Sequence, residues 1–569
     1  MRTRLLQKLI AAVLVAVWLG MSWNQIFQGE RFRLKAERNR TRLIHLPASR
    51  GPILGRNGEA LAQDQLRFRL SVFPQELERS AATWRQLGSI LGLPPQELER
   101  RYKAGYLAPF APVPLAEDLT PEQAFRYEEI GSMIPGIFVQ PVPRRVYPLG
   151  EAVGAVLGYL GRINAEELNR LKPYGYTVQD RVGKDGLERM YDRQLKGEDG
   201  GLQLEVDARG RMVRRIGHRS PVAGRPLRVA LDGRLQEAAY EALEGRPGAV
   251  IVMAVGSGEV LALASGPGFD PNWFLDPDRS RDLQRLLKRP DQPLFNRAIR
   301  SAVPPGSIFK MAAAYEGLVE GKIQPDTLFE CTGSVQMGRA TFRCWKKEGH
   351  GMQSVAQALE NSCNVFFYRT ALRLGAEGIA RGARLFGLGR PTGIDLPHEG
   401  EGMVPDADWM PKRYNQPWQP GDIVSYGIGQ GPLQVTPLQM LMAVGMVGTG
   451  SQLPPPHLSL ELKPPASKGG RVVLKENRVI PVRIGLSRVV NSPTGTGRLV
   501  RDESVRLAGK TGTAQATGGP PHAWFCGYAP DRSPKVAFIV FLEHGGQGGV
   551  AAAGVARQVV EKLKELEYL

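Results

Sequence analysis

Three short polar motifs lie in order along the C-terminal half of this 569-residue chain. They are Ser307-x-x-Lys310, Ser362-Cys363-Asn364 and Lys510-Thr511-Gly512-Thr513. Each motif alone has an ordinary structural explanation, because serines cap helices and turns and a Lys-Thr-Gly-Thr run suits the end of a strand. If the three motifs act together, however, one fold must bring a hydroxyl, two amines and an amide into one cleft across about two hundred positions. We therefore expect them to belong to a single domain, residues 226–569.

The first motif has the local sequence of a helix start. Pro304 and Pro305 end any preceding helix, and Gly306 permits a tight turn before a run of good helix formers. Residues three apart at the beginning of a helix lie on one face, so Lys310 is expected beside the Ser307 hydroxyl. A serine hydroxyl becomes an effective nucleophile when a base takes its proton, so the pair has the composition of an activated serine, although the motif alone is a weak signal.

The flanking segments predict an α+β fold for this domain. Residues 227–245 resemble a strand that runs into an amphipathic helix, and residues 248–265 resemble a hairpin that turns at Gly256-Ser257-Gly258. Residues 535–544 form a strongly β-favouring run, and residues 555–569 repeat apolar side chains at helical spacing. The segment 220–226 has the composition of a linker, so we place the domain boundary at 225/226.

An uncharged stretch at residues 9–29 is long enough to cross a bilayer once as a helix. A cleaved signal peptide is the alternative, but no small-x-small cleavage site follows the apolar run. We therefore predict a cytoplasmic tail at residues 1–8 and a retained transmembrane anchor at residues 9–29. Basic residues lie on both sides of the anchor, with more of them after it, so orientation is inferred from the chemistry of the C-terminal domain instead.

The overall charge favours anionic surroundings. Lys and Arg number 74 against 56 Asp and Glu, which gives a formal net charge of +18. Acidic lipid, an anionic wall polymer and nucleic acid are all compatible with charge alone. Only 4 cysteines are present, so the chain is not a small disulfide scaffold.

The ordered motif set matches the acyl-transfer signature of penicillin-binding proteins and serine β-lactamases. Longer segments resemble the elongation-type class B penicillin-binding proteins over nearly the whole chain: 50–62, 145–163 and 186–200 in the N-terminal part, and 296–310, 350–364, 428–439 and 508–515 in the C-terminal part. Gly55 stands where that family usually has an acidic residue. The resemblance implies an elongated pedestal, or dimerisation-type, domain at residues 30–225. It also implies a penicillin-binding transpeptidase domain at 226–569, an antiparallel sheet flanked by helices as in serine β-lactamases.

The resemblance also implies roles for the motif residues. Ser307 would attack the penultimate D-Ala carbonyl of a peptidoglycan stem peptide, with Lys310 as the base. Burial and the cation of Lys510 would lower the pKa of Lys310. Ser362 would relay a proton to the departing D-Ala, and Asn364 would hold the substrate amide.

The third motif would bind the terminal carboxylate. Lys510 and Thr511 would hold it, and Gly512 would allow the strand to approach closely. Backbone N–H groups of Ser307 and Thr513 would form the oxyanion hole. No catalytic cofactor is expected, and penicillins would acylate Ser307 because their strained amide mimics D-Ala-D-Ala.

Three of the four cysteines cluster in sequence with one histidine: Cys331, Cys344, His350 and Cys363. Three thiolates and one imidazole are a common closed zinc set, although this spacing is not that of a zinc finger. Some elongation-type relatives bind zinc through two acids, a His and a Cys at similar spacings. We favour a structural zinc over a Cys331–Cys344 disulfide or free thiols. Cys526 is expected inside a strand, and His522 at the surface or at a cap.

The predicted function is that of a membrane-anchored D,D-transpeptidase that cross-links stem peptides outside the plasma membrane during cell elongation. A D,D-carboxypeptidase would use the same residues with water as the acceptor. A non-catalytic scaffold or β-lactam-sensing receptor is the alternative from another class, but it would not need all the motif residues. The resemblance implies a RodA-like glycosyltransferase of the SEDS type as membrane partner, with the basic segment 31–42 as part of the contact or as a neighbour of acidic lipid. No nucleic-acid partner is expected.

Overall fold

A computed structural model describes residues 2–30, 41–106, 112–131, 134, 136–178, 180–206, 212–461 and 471–569. The chain divides into two compact units. The smaller unit contains Met1–Gly51, Asp64–Arg145 and Lys196–Arg225, and the larger contains Pro52–Gln63, Val146–Leu195 and Pro226–Leu569. Residues 52–63 and 146–195 thus fold with the C-terminal residues, although they lie inside the range expected for the pedestal.

The chain begins with the helix Arg2–Ser22, which continues as a wider π-helical turn over Trp23–Phe27. The segment Arg4–Ile26 is long and apolar enough to cross a membrane, and within the described ranges no other helix is. Its leucine, valine and tryptophan side chains are exposed, as expected of a surface that faces lipid. The prediction of one apolar N-terminal helix is confirmed.

The smaller unit combines strands with short helices. Its strands are Thr41–Leu46, Ala60–Val72 (shared with the larger unit), Val113–Leu119, Ile137–Val146, Gly200–Val206 and Met212–Arg219. Its helices after the N-terminal one are Ala81–Leu91, Pro95–Gly105 and Pro121–Gly131. The first, fifth and sixth of these strands form a three-stranded antiparallel sheet. A small core around Trp84, Leu98 and Tyr102 packs two of the helices on the strand Val113–Leu119.

The larger unit is built on a five-stranded antiparallel sheet. Its strands, in spatial order, are Val260–Gly266, Gly248–Ala254, Val536–Leu542, His522–Ala529 and Ala508–Ala514. Shorter strands lie outside it: Ile53–Leu54, Leu160–Arg162, Arg181–Gly183, Leu227–Arg228, Phe329–Cys331, Ser334–Met337, Ala340–Arg343 and Gly351–Gln353. The hairpin at 248–266 and the strand at 536–542 confirm the sequence-based predictions, and Lys510 lies in the edge strand.

Helices cover both faces of this sheet. The helices of the larger unit, some of which pack on the sheet, are Glu151–Leu157, Ala165–Leu171, Gly186–Met190, Asp192–Leu195, Gly233–Glu241, Ser280–Leu287, Arg297–Arg300, Lys310–Val319, Val355–Glu360, Asn364–Leu385, Trp409–Tyr414, Pro420–Gly427, Pro437–Thr449, Glu476–Asn491 and Ala553–Glu565. Successive strand residues point to opposite faces. Accordingly Ile251 and Met253 join the core that contains the helix Lys310–Val319, whereas Val250 and Val252 join the core that contains the helix Ala553–Glu565. The predicted α+β fold with an antiparallel sheet between helices is confirmed.

Candidate active site

Ser307 lies in a tight turn between the sheet edge and a neighbouring loop. The turn is a 3-10 helix over Gly306–Phe309, and the α-helix begins at Lys310 rather than at the serine. Gly306 has φ +57°, and a Cβ there would lie 2.7 Å from the Thr513 carbonyl oxygen. The Gly306 N–H donates to the Gly429 carbonyl at 2.8 Å. A glycine is therefore required, and it fixes the serine beside the edge strand.

Lys310 is completely buried, and its ammonium group points at the second motif. Nζ donates to the Ser362 carbonyl oxygen at 2.9 Å, to Asn364 Oδ1 at 2.7 Å and to Ser362 Oγ at 3.3 Å. Burial lowers the pKa of Lys310 to about 8, against the opposing influence of the Cys363 and Cys344 thiols. A minor neutral fraction, which a general base requires, therefore exists near neutral pH.

Ser362 lies in a strained turn between two helices. The helix Val355–Glu360 ends just before it, and the helix Asn364–Leu385 begins just after it. Ser362 has φ +50°, in the left-handed region that non-glycine residues adopt at a cost of about 1–3 kcal/mol. Its side chain is buried, so the turn holds the hydroxyl in a single place.

Lys510 reaches the same hydroxyl from the edge strand. It is completely buried, and its Nζ donates to Ser362 Oγ at 3.1 Å and to the Thr511 carbonyl oxygen at 2.9 Å. Burial first, and then the charge of Lys310, hold the pKa of Lys510 well below its usual value. The structure thus brings Lys310, Ser362, Asn364 and Lys510 together, with one serine hydroxyl between two amines.

Ser307 is placed beside this group without a hydrogen bond to it. Its side chain is half-buried, and within the described part of the chain its hydroxyl makes no hydrogen bond. A Cβ at Gly512 would lie 3.0 Å from Ile308 Cγ2 and 3.1 Å from the Pro305 carbonyl oxygen. The Ser307 turn therefore packs directly on the Lys-Thr-Gly-Thr strand, and its hydroxyl remains available to a ligand.

The rest of the edge strand offers hydroxyl groups. Thr511 is buried and shares a hydrogen bond of 2.8 Å with the hydroxyl of Thr496. Thr513 is exposed, and its Oγ1 accepts the Gly548 N–H at 3.2 Å. Gln430 Nε2 donates to the Thr513 carbonyl oxygen at 3.5 Å. An anion at this edge would meet an amine and two threonine hydroxyls.

The Cys/His cluster predicted from the sequence lies directly behind the Ser362 turn. Ligand atoms of Cys331, Cys344, His350 and Cys363 all fall within 4.8 Å of one another. The sulfurs of Cys331 and Cys344 are each 3.5 Å from His350 Nδ1, and the Asn364 N–H donates to the Cys344 sulfur at 3.3 Å. Hydrogen bonds from Cys363 and then from His350 lower the pKa of Cys344. No disulfide joins any of these cysteines.

Sequence reasoning missed a carboxylate that supports the third motif. Glu360 is buried, and its Oε1 accepts the hydroxyls of Ser492 at 2.5 Å and Thr494 at 2.7 Å. That loop continues to Thr496, which contacts Thr511. Glu360, Thr496 and Gln430 carry no motif spacing, so only the folded chain identifies them as neighbours of the site.

Two further residues test smaller predictions. Cys526 is fully buried in the strand His522–Ala529, as predicted. The surface or cap position predicted for His522 is wrong, because the strand begins at His522 and buries it. Its Nδ1 accepts the His544 N–H at 3.1 Å, and burial lowers its pKa.

Comparison with known proteins identifies the family. Residues 248–561 match the penicillin binding protein transpeptidase domain, and residues 45–229 match the penicillin-binding protein dimerisation domain. The chain is 34% identical to the peptidoglycan D,D-transpeptidase MrdA of Haemophilus influenzae, over 94% of this chain and 87% of that relative. It is 32% identical to MrdA of Escherichia coli strain K12, over 98% and 92% of the two chains. The chain belongs to the class B penicillin-binding proteins of the PBP2 type.

Solved structures of class B penicillin-binding proteins agree with the fold. PBP2 of Helicobacter pylori in complex with MreC has a TM-score of 0.82 at 30% identity and covers 93% of this chain and 99% of its own. A chain from a peptidoglycan synthase complex that coordinates polymerisation and crosslinking has a TM-score of 0.75 at 30% identity, over 98% and 97% of the two chains.

Proposed function

We propose that this penicillin-binding protein is a peptidoglycan D,D-transpeptidase that works through an acyl-enzyme on Ser307 during cell elongation. The observation that carries the proposal is the pair of buried lysines that share the Ser362 hydroxyl beside the Ser307 turn. Burying two amines side by side costs free energy, and groups with strongly shifted pKa values of this kind concentrate at functional sites. Family membership supports the same activity.

Acylation would begin when neutral Lys310 takes the proton of the Ser307 hydroxyl. The Ser307 oxygen then forms a bond to the penultimate D-Ala carbonyl carbon, and the bond from that carbon to the nitrogen of the terminal D-Ala breaks. Ser362 gives its proton to the departing amine and receives one from Lys310, so no net proton is consumed. Asn364, whose Oδ1 accepts a hydrogen bond from Lys310, would orient the substrate amide.

The edge strand would bind the substrate and stabilise the transition state. Lys510 and the hydroxyls of Thr511 and Thr513 would form a hydrogen-bonding site for the terminal carboxylate, whose charge favours the protonated form of Lys510. Gly512 allows the strand to lie against the Ser307 turn. The backbone N–H groups of Ser307 and Thr513 would hold the oxyanion, an interaction typically worth about 100- to 1,000-fold in rate per donor.

The second half of the reaction would return the enzyme to its starting state. An amine of a neighbouring stem peptide attacks the acyl carbon, the ester bond to Ser307 breaks, and the amine proton returns to the Ser307 oxygen through Lys310. The product is a cross-linked pair of stems. A β-lactam would complete only the first half and remain on Ser307.

The site of the adduct tests this proposal. Incubation of the full-length protein with penicillin is expected to raise its mass by that of one intact β-lactam, and peptide mapping should place the adduct on the peptide that contains Ser307. Incubation with an uncross-linked, pentapeptide-bearing strand should release D-Ala. An adduct on any other residue would overturn the assignment.

We also propose that the Cys/His cluster holds a structural zinc ion. Three thiols and one imidazole suit a closed, tetrahedral zinc site, and the donor atoms already converge among buried residues. The ring nitrogen Nε2 of His350 is buried without a partner among the described residues, which leaves Nδ1 as the atom turned towards the sulfurs. Because Cys363 lies between Ser362 and Asn364, a bound cation would rigidify the catalytic turn.

Metal analysis tests the zinc proposal. The purified protein is expected to contain about one zinc ion per chain, and Cys344→Ser is expected to lose it and to lower the unfolding midpoint, since bound metal contributes directly to folding. Cys526→Ala, which changes a buried thiol outside the cluster, should keep the metal. Wild-type protein purified without chelators and found free of zinc would refute the proposal.

We further propose that the chain is a single-pass protein of the plasma membrane with its catalytic domain outside the cytoplasm. The organisation would be a tail at 1–8, an anchor at 9–29, a pedestal at 30–225 and a transpeptidase domain at 226–569. The candidate span Arg4–Ile26 supports the anchor.

A RodA-like SEDS glycosyltransferase is the proposed membrane partner, contacted by the anchor and the pedestal. The relative from a peptidoglycan synthase complex supports a partner of this kind. Residues 31–40 of the basic segment 31–42 lie outside the described residues. Charge reversal at Arg31, Arg33 and Arg38 is expected to reduce co-purification of the partner, and unchanged recovery would count against this contact.

A further inference from the structure

An exposed tryptophan stands next to the catalytic turn and is fixed in position. Trp345 is 58% exposed, yet its indole N–H donates to the Asn361 carbonyl oxygen at 3.0 Å. Asn361 directly precedes Ser362, and the ring also packs edge-on against His350 with centroids 5.3 Å apart. A large aromatic face is thus held in water beside the site, although burial would stabilise it further.

Four basic residues lie close to this tryptophan in the sequence, on the hairpin that precedes it and the loop that follows it. They are Arg339, Arg343, Lys346 and Lys347, all exposed. Within the described ranges none of the four forms an ion pair, and Glu348 is the one acidic residue between 339 and 350. We call Trp345 and these four cations the Trp345 surface. Glu348 offsets one of the four positive charges, so this segment keeps a net positive charge and favours an anionic ligand.

A second aromatic group packs on the strand Ala340–Arg343, which precedes Trp345 in the chain. The ring of Phe342 lies 3.0 Å from the position that a Cβ would take at Gly421, close in sequence to Trp418. The Trp409 ring lies 6.4 Å from that of Trp418 and 5.5 Å from that of Tyr414, which is 57% exposed. The segment 409–421 thus carries three neighbouring aromatic rings, those of Trp409, Tyr414 and Trp418, and it contacts Phe342 at Gly421.

We propose that the Trp345 surface is a subsite for the sugar backbone and the stem carboxylates of a peptidoglycan strand. This inference rests on the proposed transpeptidase function and names where its polymeric substrate would bind beyond the reacting D-Ala-D-Ala end. The apolar face of a pyranose ring packs on an indole ring, and the carboxylates of the stem peptides pair with Arg and Lys. Trp345 would dock the sugar, while the four cations would hold the acidic stem beside Ser362.

Two alternative roles for the Trp345 surface predict other binding and acylation results. A surface for anionic lipid would require the cations but no sugar, and it would bind vesicles rather than strands. A purely structural Trp345 would support the Asn361–Ser362 turn, so its loss would slow acylation by every substrate, including small ones.

Binding of defined glycan strands to the full-length protein in nanodiscs of zwitterionic lipid separates these outcomes. The probes are uncross-linked strands that carry pentapeptide stems, the same strands stripped of their stems, and vesicles of phosphatidylglycerol. Trp345→Ala is expected to weaken binding of both kinds of strand by about tenfold. Lys346→Glu with Lys347→Glu is expected to weaken the stem-bearing strands about tenfold at low salt and to leave the stripped strands within twofold.

Penicillin acylation serves as the internal control, since penicillin carries no strand. It should remain within threefold of wild type in both variants, which keeps a failure of this subsite distinct from a failure of the proposed activity. The control variant is Arg532→Glu with Lys535→Glu, which makes the same charge change on exposed residues in the turn that follows the β-strand His522–Ala529. It should bind glycan strands as the wild-type protein does.

Three results would overturn the subsite. They are unchanged strand binding by both variants, an equal loss in the Arg532/Lys535 control, and a loss confined to phosphatidylglycerol vesicles. If Trp345→Ala also slows penicillin acylation more than threefold, Trp345 supports the catalytic turn and its strand binding is not informative. Strand binding by the Lys346→Glu, Lys347→Glu variant then tests the subsite, because these exposed side chains do not contribute to the indole hydrogen bond with Asn361.

Discussion

Replacing Lys310 by methionine is expected to slow acylation by penicillin about 100- to 10,000-fold, the range that a positioned general base supplies. Methionine fills a similar volume in this fully buried position but cannot take the Ser307 proton. It also removes the donor that holds the Ser362 carbonyl and Asn364. The measurement is the rate of covalent labelling by a fluorescent penicillin, with Ser307→Ala as the floor.

The fold should survive this substitution. A lysine whose folded pKa is about 8, below the usual 10.5, destabilises the fold while it is charged. That penalty is present in full below pH 8 and disappears as the pH rises past 10.5. Methionine removes it at neutral pH, so the unfolding midpoint at pH 7 should not fall by more than a few degrees. Lys412→Met, at an exposed residue, is the matched control and should label normally.

The pH dependence of the wild-type protein provides an independent check on Lys310. Only the neutral amine accepts a proton, so the acylation rate should rise about tenfold per pH unit below pH 7 and level off above about pH 8. A rate that is flat between pH 6 and 8, or labelling of the methionine variant within tenfold of wild type, would remove Lys310 from the role of base.

The sequence was sufficient to predict three strands of the sheet and the tight turn before Ser307. Continuous apolar, β-favouring runs identified the hairpin at 248–266 and the strand at 536–542, and the structure buries these three strands on both faces. The Pro-Pro-Gly run before Ser307 correctly indicated a tight turn. The 3-10 form of that turn depends on contacts with Gly429 and Thr513, more than a hundred residues away, and no local pattern contains them.

Long-range contacts also explain what the sequence could not provide at the site. Glu360 accepts hydrogen bonds from two hydroxyls of the loop 492–496, which lies about 130 residues downstream. A histidine is commonly found at the surface, but His522 begins a strand that lies between two others in the sheet and is buried there. The expected lowering of the Lys310 pKa by Lys510 is not found, because burial alone lowers it, whereas the charge of Lys310 adds to burial in lowering the pKa of Lys510.

This coupling predicts that the substrate carboxylate helps to create the base. A carboxylate bound at Lys510 and Thr511 favours the charged form of Lys510. Because the two amines share the Ser362 hydroxyl, at 3.3 and 3.1 Å, charge on Lys510 disfavours charge on Lys310. The substrate would thereby shift Lys310 towards its neutral, reactive form before any bond is broken.

Converting the terminal carboxylate of a small acylating substrate to a carboxamide is therefore expected to have two effects. At pH 7 acylation should slow about 10- to 150-fold, the value of one hydrogen bond to a charged group. The pH at which the rate reaches half its plateau should also rise by about one unit, because Lys310 is no longer assisted. Acylation rates of a matched D-Ala-D-lactate depsipeptide and its carboxamide, measured from pH 6 to 10, would give both values.

The control is Lys510→Met, which removes the charge that the carboxylate stabilises. In this variant the acid and the amide should react at similar rates and with the same pH midpoint, since neither can act on Lys310 through Lys510. A carboxamide that reacts more slowly but with an unchanged midpoint in the wild-type protein would mean that Lys510 only binds the substrate. The two buried amines would then titrate independently, and the hydroxyl between them would serve proton transfer alone.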